Sequence, residues 1–248
     1  AVATVFLAKK FYPALRVSPS LVSMEKLREY YDFGKYTYVA TIADRVRFSI
    51  DDLVVAAFIG VGAVTHYTIV VALIRYFGEL MGGVIGVVSP VLNKYHKLDQ
   101  WDNLREIFLV AIEISAMLSV LIGGLLIVLG ESFIVIWMGE EYSDVYKVLL
   151  ILCPAIIIAQ AQRPSVAILY AIAKHKYYAK ITSIEAIANL CISIILVQYI
   201  GIYGVAFGTA IPMLFNKLLL KPIYTCKQLE ISLRDYSFKV FKYFFTGT

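Results

Sequence analysis

Four arginines lie within apolar stretches of this 248-residue sequence, where a charged side chain is least expected: Arg45, Arg47, Arg75 and Arg163. A guanidinium group stays protonated at physiological pH, and its planar fork donates paired hydrogen bonds to phosphate or carboxylate groups. The chemistry that these residues offer is therefore the binding of an anionic group in an environment that excludes bulk water.

Acidic side chains lie in the same stretches, at Asp44, Asp51, Glu79, Glu113 and Glu185. On a helix, Asp44, Arg47 and Asp51 share one face, and Arg75 and Glu79 are one turn apart. Opposite charges at these spacings neutralise each other, which makes their insertion among apolar residues tolerable. We predict that these carboxylates pair with cations on the same or neighbouring helices, or bind a coupling ion.

Some of these charges also have a plain structural interpretation. Arg75 and Glu79 form a neutral structural pair in that interpretation, Asp51 reaches the outer end of its helix, and Lys217 extends its stem to the nearer surface. Arg45, Arg47 and Arg163 are the hardest to explain in this way, because they are deep and less fully paired locally.

The composition shows which elements must position these residues. Apolar residues make up 60% of the chain and charged residues 17%, against about 45–50% and 25% in soluble domains. This excess excludes a soluble enzyme and indicates an integral membrane protein.

The basic residues behind the net charge of +5 mostly lie between apolar blocks, so the charge does not indicate a nucleic-acid partner. The three cysteines have neither disulfide nor zinc-ligand spacing.

We predict an all-α polytopic bundle with six transmembrane helices over 35–59, 65–92, 104–129, 145–173, 179–200 and 203–224.

Lys and Arg are concentrated in the connections 9–35, 93–105 and 174–180 and in the tail from 221, whereas the alternate connections have none. This alternation places both ends of the bundle in the cytoplasm. Arg45 then lies about 16 Å from the start of the first span, near the bilayer midplane. Internal prolines such as Pro154, Pro164 and Pro212 predict kinks around a central cavity.

The predicted organisation has four parts. Residues 1–8 are the end of a truncated transmembrane helix, and 9–34 are a cytoplasmic linker with a short surface helix over 24–31 behind Ser23. Residues 35–227 form the six-helix lobe. Residues 228–248 are an amphipathic tail or the start of a further span.

Several segments resemble one family of transporters: 89–95 (SPVLNKY), 131–142 (ESFIVIWMGEEY), 200–210 (IGIYGVAFGTA) and 50–53 (IDDL), together with Tyr67. In their order and topological placement they are similar to the second half of bacterial polysaccharide flippases. These O-antigen and lipid-linked oligosaccharide exporters share a superfamily with multidrug (MATE) exporters and the lipid II flippase.

The resemblance implies one lobe of a 12- or 14-helix transporter with a V-shaped cavity, in the bacterial inner membrane. The implied substrate is an undecaprenyl-diphosphate-linked oligosaccharide. We predict that Arg45, Arg47, Arg75 and Arg163 bind its diphosphate or an acidic sugar, and that carboxylates couple transport to H⁺ or Na⁺. The implied partners are the lipid bilayer, the missing N-terminal lobe and the glycan polymerase machinery.

Two other functions remain as alternatives. A multidrug antiporter of the same superfamily needs an acidic or apolar cavity, and the deep charges here show no acidic excess. A membrane glycan enzyme needs a catalytic side chain beside a sizeable polar loop, whereas His66, His96 and His175 lie at the ends of spans. We expect a secondary transporter and not an enzyme, with no metal site, no other cofactor and no bound nucleic acid.

Overall fold

The protein is described by a computed structural model that covers the backbone of residues 23–246, and their side chains except those of residues 29, 30, 32, 33, 43–48 and 244–246. Every regular element in this range is helical. The predicted helix over 1–8 and the linker up to residue 22 lie outside the described residues. The elements are α1 (Met24–Phe58), α2 (Val61–Lys97), α3 (Trp101–Met138), α4 (Val145–Ala161), α5 (Arg163–Ala171), α6 (His175–Ile200), α7 (Ile202–Phe215), a π-helical segment (Asn216–Leu220, the π segment), α8 (Lys221–Leu229) and α9 (Leu233–Thr246).

Helix α1 merges two predicted elements. It begins behind Ser23, whose Oγ accepts a hydrogen bond of 3.5 Å from the backbone N–H of Lys26, as a helix cap does. The helix then continues without a break to Phe58, so the predicted surface helix and the first predicted span are one element. The chain divides into two compact units, Ala1–Tyr36 and Thr37–Thr248, and all contacts described below belong to the second.

Five helical segments of the described chain are long and apolar enough to cross a membrane: Val61–Lys97, Trp101–Met138, Val145–Ala171, His175–Ile200 and Ile202–Leu229. They correspond to the last five of the six predicted spans. The first predicted span falls in α1, which is long enough but is not among the five. Its closely spaced charges, from Asp44 to Asp52, lower its apolar character.

Two of these five spans are interrupted in the middle. The fourth predicted span is split at Gln162 into α4 and α5, and Pro164 stands in the first turn of α5, where its missing N–H costs nothing. The sixth passes through the π segment shortly after Pro212. Prolines and π-bulges both interrupt the regular hydrogen-bond ladder, so the ladder of each span is broken within the span.

Helices α6 and α7 form a closely packed hairpin. Gly201 makes the turn with a φ of 59°, a conformation that glycine adopts without strain. An added Cβ at Gly204 would come within 2.4 Å of the Leu196 backbone, and one at Gly208 within 2.1 Å of Ser193 Oγ. The two backbones therefore approach each other as small residues allow in membrane helix pairs.

Candidate functional site

A cavity of about 820 Å³ lies between α2, the broken pair α4–α5, α6, α7, the π segment and α8. We call it the basic cavity, because its charged lining residues in the described part of the chain are four cations and one carboxylate. They are Arg75, Arg163, Lys217, Lys221 and Glu79. The uncharged polar residues of the lining are Ser89, Gln160, Tyr170 and Tyr178.

Arg163 enters the basic cavity from the break between α4 and α5. As the first residue of α5, it projects toward α2, where its Nη1 donates a hydrogen bond to the carbonyl oxygen of Gly78. Added Cβ atoms at Gly78 and Gly82 would each lie 3.9 Å from Arg163 Nη1. The two glycines, one turn apart, therefore leave the space on α2 that the guanidinium group occupies.

Lys217 forms a buried ion pair at another wall of the cavity. Its Nζ lies 3.0 Å from Oε2 of Glu185, and the two residues are 4% and 3% exposed. The side-chain amide of Asn216 donates a second hydrogen bond to the same carboxylate oxygen. The expectation that Lys217 extends to the membrane surface is therefore wrong, because Glu185 holds its ammonium group inside the bundle.

Arg75 and Glu79 line the basic cavity from α2. Both side chains are exposed, and among the ion pairs of the described residues none joins them, although they are one turn apart. The predicted pair is therefore wrong as a contact. Lys221, the first residue of α8, is buried and lines the cavity as well.

Asp51 lies on α1, two turns before its end at Phe58, and is fully buried, at 0% exposure. The expectation that its side chain reaches the outer interface is therefore wrong. Its Oδ2 accepts hydrogen bonds from the hydroxyl groups of Tyr67 on α2, at 2.9 Å, and Thr209 on α7, at 2.6 Å. Thr209 Oγ1 also lies 3.4 Å from Asn189 Oδ1, which accepts a bond of 2.8 Å from Ser193 on α6. These five residues, the Asp51 cluster, join four helices through oxygen atoms.

The described residues contain no group of three or more His, Cys, Asp or Glu side chains arranged to hold a metal ion. The Asp51 cluster has one carboxylate, with hydroxyl and amide oxygens around it. Carboxylate, hydroxyl and amide oxygen atoms can bind a proton or coordinate a hard cation.

Glu113 on α3 lies outside the basic cavity and pairs with α9. Lys239 Nζ is 2.5 Å from its Oε2, and Lys242 donates to its Oε1. This hydrogen bond to Glu113 raises the pKa of Lys242. One turn earlier along both helices, the buried ring of Tyr236 stacks on Phe108 at 6.1 Å, so α9 follows α3 in the same direction.

The predicted site residues thus fall into three groups. Arg75, Glu79 and Arg163 meet at the basic cavity, with Glu185 directly behind its wall. Asp51 and Glu113 lie elsewhere, in clusters of their own. The side chains of Asp44, Arg45 and Arg47 lie outside the described residues.

The sequence interpretation missed the roles of Lys217 and Lys221 in the lining of the cavity. They are one turn apart, at the end of the last apolar run, and a position near a span end favours an extended lysine over an inward-facing one. Asn189 and Thr209 were also missed, because polar uncharged residues are common in membrane helices.

Comparison with known proteins gives consistent matches. The profile of a family described as "Polysaccharide biosynthesis protein" matches residues 2–147. A curated relative, the "Uncharacterized membrane protein EpsK" of Bacillus subtilis (strain 168), is 22% identical over 221 residues, which cover 88% of this chain and 44% of that protein.

Solved structures of MATE transporters share the fold. One in complex with MaL6 superposes with a TM-score of 0.77 at 14% identity, covering 94% of this chain and 54% of that one. An inward-facing multidrug resistance MATE transporter of the MOP superfamily gives a TM-score of 0.70 at 14% identity, covering 86% and 50%. The chain therefore has the fold of one MATE lobe and spans about half the length of the proteins that it matches.

Proposed function

The chain belongs to the polysaccharide biosynthesis protein family, and from this premise we propose that it forms one lobe of a flippase for an undecaprenyl-diphosphate-linked oligosaccharide. In this proposal the flippase works by alternating access in the bacterial cytoplasmic membrane and draws on a gradient of H⁺ or Na⁺. It is a secondary transporter and catalyses no covalent chemistry.

The observation that carries the proposal is the charge of the basic cavity. Four cationic side chains and one carboxylate line it in the described part of the chain, within helices long and apolar enough to span a membrane. Glu185 already pairs with Lys217, and the lining has three further cations against the carboxylate of Glu79. Cations within membrane-spanning helices cost at least about 2.5 kcal/mol each on insertion scales, so this excess favours the binding of an anion. A diphosphate supplies that anion, and the guanidinium groups of Arg75 and Arg163 match its oxygen atoms.

The remaining parts of the substrate fit the same site. The oligosaccharide needs polar, hydrated walls, which Gln160, Ser89 and Tyr170 provide beside the charges. The prenyl tail needs none, because it stays in the lipid. The chain spans about half the length of its relatives, and we propose that a second lobe closes the cavity from the other side.

Ion coupling is assigned in this proposal to the Asp51 cluster. A carboxylate at 0% exposure is costly in its charged form unless hydrogen bonds or a cation compensate it. Binding of H⁺ or Na⁺ at Asp51 changes that balance where α1, α2, α6 and α7 meet. A change of charge at such a junction favours one arrangement of the helices over another.

The orientation follows from the basic connections. The ends of α2 and α3 near Lys94, Lys97 and Arg105 carry positive charge, and the positive-inside rule places them in the cytoplasm. In this orientation the basic cavity reaches from the middle of the membrane toward the cytoplasmic side, where a lipid-linked oligosaccharide is loaded.

The test is complementation of polysaccharide export in a strain that lacks the gene, with the full-length protein. The Arg75→Ala/Arg163→Ala double variant is expected to be made and inserted but to restore less than a tenth of wild-type export. Lys147→Ala, a change of one cation outside the cavity lining, serves as the control. Export by the double variant at the wild-type level would refute the proposed substrate site.

Dye efflux by the same strains separates this function from that of a multidrug antiporter. An organic cation is repelled by the basic cavity, so efflux of a cationic dye is expected to stay at the level of the empty strain. Strong efflux that survives in the double variant would favour the antiporter.

A further inference from the structure

Glu185 and Lys217 stand at a boundary between the basic cavity and the helix bundle. Lys217 lines the cavity, whereas Glu185 lies behind it and is not part of the lining. The ion pair of 3.0 Å thus has one member that an anionic ligand can reach and one that it cannot. An anion that binds in the cavity competes with Glu185 for the same ammonium group.

A buried carboxylate that loses its cation is strongly destabilised unless it is neutralised. Asn216 offers the means of neutralising it. Its Nδ2 already donates to Glu185 Oε2, while its Oδ1 is buried with no donor in the described part of the chain. A proton on Glu185 would supply that donor, because a carboxylic acid and an amide can exchange two hydrogen bonds.

We propose that Glu185 takes up one proton when an anionic headgroup binds in the basic cavity and draws Lys217 away. This inference rests on the proposed function, because it assumes that the cavity binds a diphosphate. The proton comes from the water of the cavity, and its charge replaces that of Lys217 beside Glu185. The ammonium group then pairs with a phosphate oxygen, so that no unpaired charge remains in the bundle.

In this proposal a proton and not a second cation replaces Lys217 beside Glu185, because Lys221 and Arg163 line the basic cavity and face the bound anion. The other titratable or charged groups lie on three neighbouring elements and on α6 itself. On the π segment they are Lys217 and the Asn216 amide, followed by Lys221 on α8, which lines the basic cavity. On α5 they are Arg163 and Tyr170, which line the same cavity, and α7 contributes no Asp, Glu, Lys, Arg or His. On α6 itself Tyr178 lies two turns away on the same face.

The exchange gives anion binding a defined pH dependence. One proton is bound together with each anion, so affinity increases as pH falls, by about tenfold per pH unit. This slope holds over the range in which Glu185 is deprotonated in the free protein and protonated in the complex. Glu185→Gln carries an amide that mimics the protonated carboxyl, so this variant binds the anion without the slope.

The experiment is titration calorimetry of the full-length protein in nanodiscs with farnesyl diphosphate, in buffers of different ionisation enthalpy. We expect uptake of about one proton per ligand in the wild type and near zero in Glu185→Gln. Glu106→Gln, on the exposed surface of α3, is the matched control and keeps the uptake. Farnesol, which lacks the diphosphate, reports binding by the prenyl chain alone.

The outcomes separate the two proposals. Binding of farnesyl diphosphate without proton uptake in the wild type, or with equal uptake in Glu185→Gln, overturns the exchange and leaves the flippase proposal standing. Equal affinity for farnesyl diphosphate and farnesol overturns both. Should Glu185→Gln fail to fold, infrared difference spectra of the wild type decide: a protonated-carboxyl band must appear on ligand binding, and its absence overturns the exchange.

Discussion

The side-chain amide of Gln162 donates a hydrogen bond of 2.7 Å to the carbonyl oxygen of Lys217. Gln162 is the residue at which α4 ends and α5 begins, and Lys217 lies in the π segment. The bond therefore connects the interruptions of two spans, and each interruption brings a cation, Arg163 or Lys217, to the basic cavity. The two breaks hold each other in place.

Gln162→Leu is expected to destabilise the protein by about 1–3 kcal/mol, because it removes the donor to a buried carbonyl group. Thermal unfolding in detergent measures the change. Gln198→Leu is the control, because Gln198 is exposed and bonds only within its own helix; an effect within about 0.5 kcal/mol is expected there. Equal effects of the two variants on the free energy of unfolding would show that the bond from Gln162 to Lys217 does not stabilise the fold.

Gly82→Leu is expected to abolish export while the protein still folds. An added Cβ at Gly82 meets only the end of the Arg163 side chain, at 3.9 Å, so the helix tolerates it. The rest of a leucine side chain then fills the part of the basic cavity beside the guanidinium group. Export complementation measures the loss, and unfolding temperature reports the fold.

Gly83→Leu is the matched control for this variant, because an added Cβ at Gly83 meets nothing within 4 Å and Gly83 is not part of the cavity lining. It is expected to retain export close to wild type. Loss of export in both variants would point to the helix and not to the cavity.

Asp51→Asn is expected to remove the dependence of export on the ion gradient. An asparagine keeps the shape and still accepts the hydrogen bonds of Tyr67 and Thr209, but it carries no charge for a cation to neutralise. Transport into proteoliposomes, with an imposed H⁺ or Na⁺ gradient, measures the effect and identifies the ion. Asp52→Asn, at the neighbouring position, is expected to retain the dependence, and the opposite ranking of these two variants would refute the assignment.

Glu113→Gln is expected to release α9 from α3, because Glu113 holds both Lys239 and Lys242. Hydrogen exchange of residues 233–246 measures the release, and at least a tenfold faster exchange is expected. Asp235→Asn, at an exposed position of α9, is the control, and it leaves exchange unchanged.

The same contact has a pH dependence. The pKa of Lys242 is raised by its hydrogen bond to Glu113, so its contribution is fully present below the ordinary lysine pKa of about 10.4 and is lost as pH rises through the raised value. Exchange in α9, corrected for its intrinsic pH dependence, is therefore expected to stay slow through pH 10 and to increase only above it. An increase between pH 6 and 8 would contradict this.

Much of the fold follows from the sequence, because a long apolar run bounded by basic and glycine-containing connections has few other solutions in a membrane. The five spans from Val61 to Leu229 are of this kind. The first span was less predictable. Its dense charges leave α1 long enough to cross but less apolar, and its continuity with the surface helix over 24–31 has no local sequence signal.

The site was predictable only in its types of residue. Depth along a helix identified Arg163 and Glu185, but their partners lie on other elements, and Lys217 is 32 positions from Glu185. Whether Lys217 or Lys221 faces Glu185 depends on the rotation of the helix about its axis. The π segment changes that rotation after Phe215. The burial of Asp51 was missed for a related reason, because one of its partners, Thr209, is 158 positions away.

The close packing at Gly204 and Gly208 connects the Asp51 cluster with the Glu185–Lys217 ion pair. Asn189 and Glu185 stand on one arm of this hairpin, and Thr209 and the π segment follow along the other. At Gly204 and Gly208 the two arms leave no room for an added Cβ. In the proposed cycle, neutralisation of Asp51 and displacement of Lys217 would both act on this one closely packed hairpin, and a shift of either arm would reach both sites.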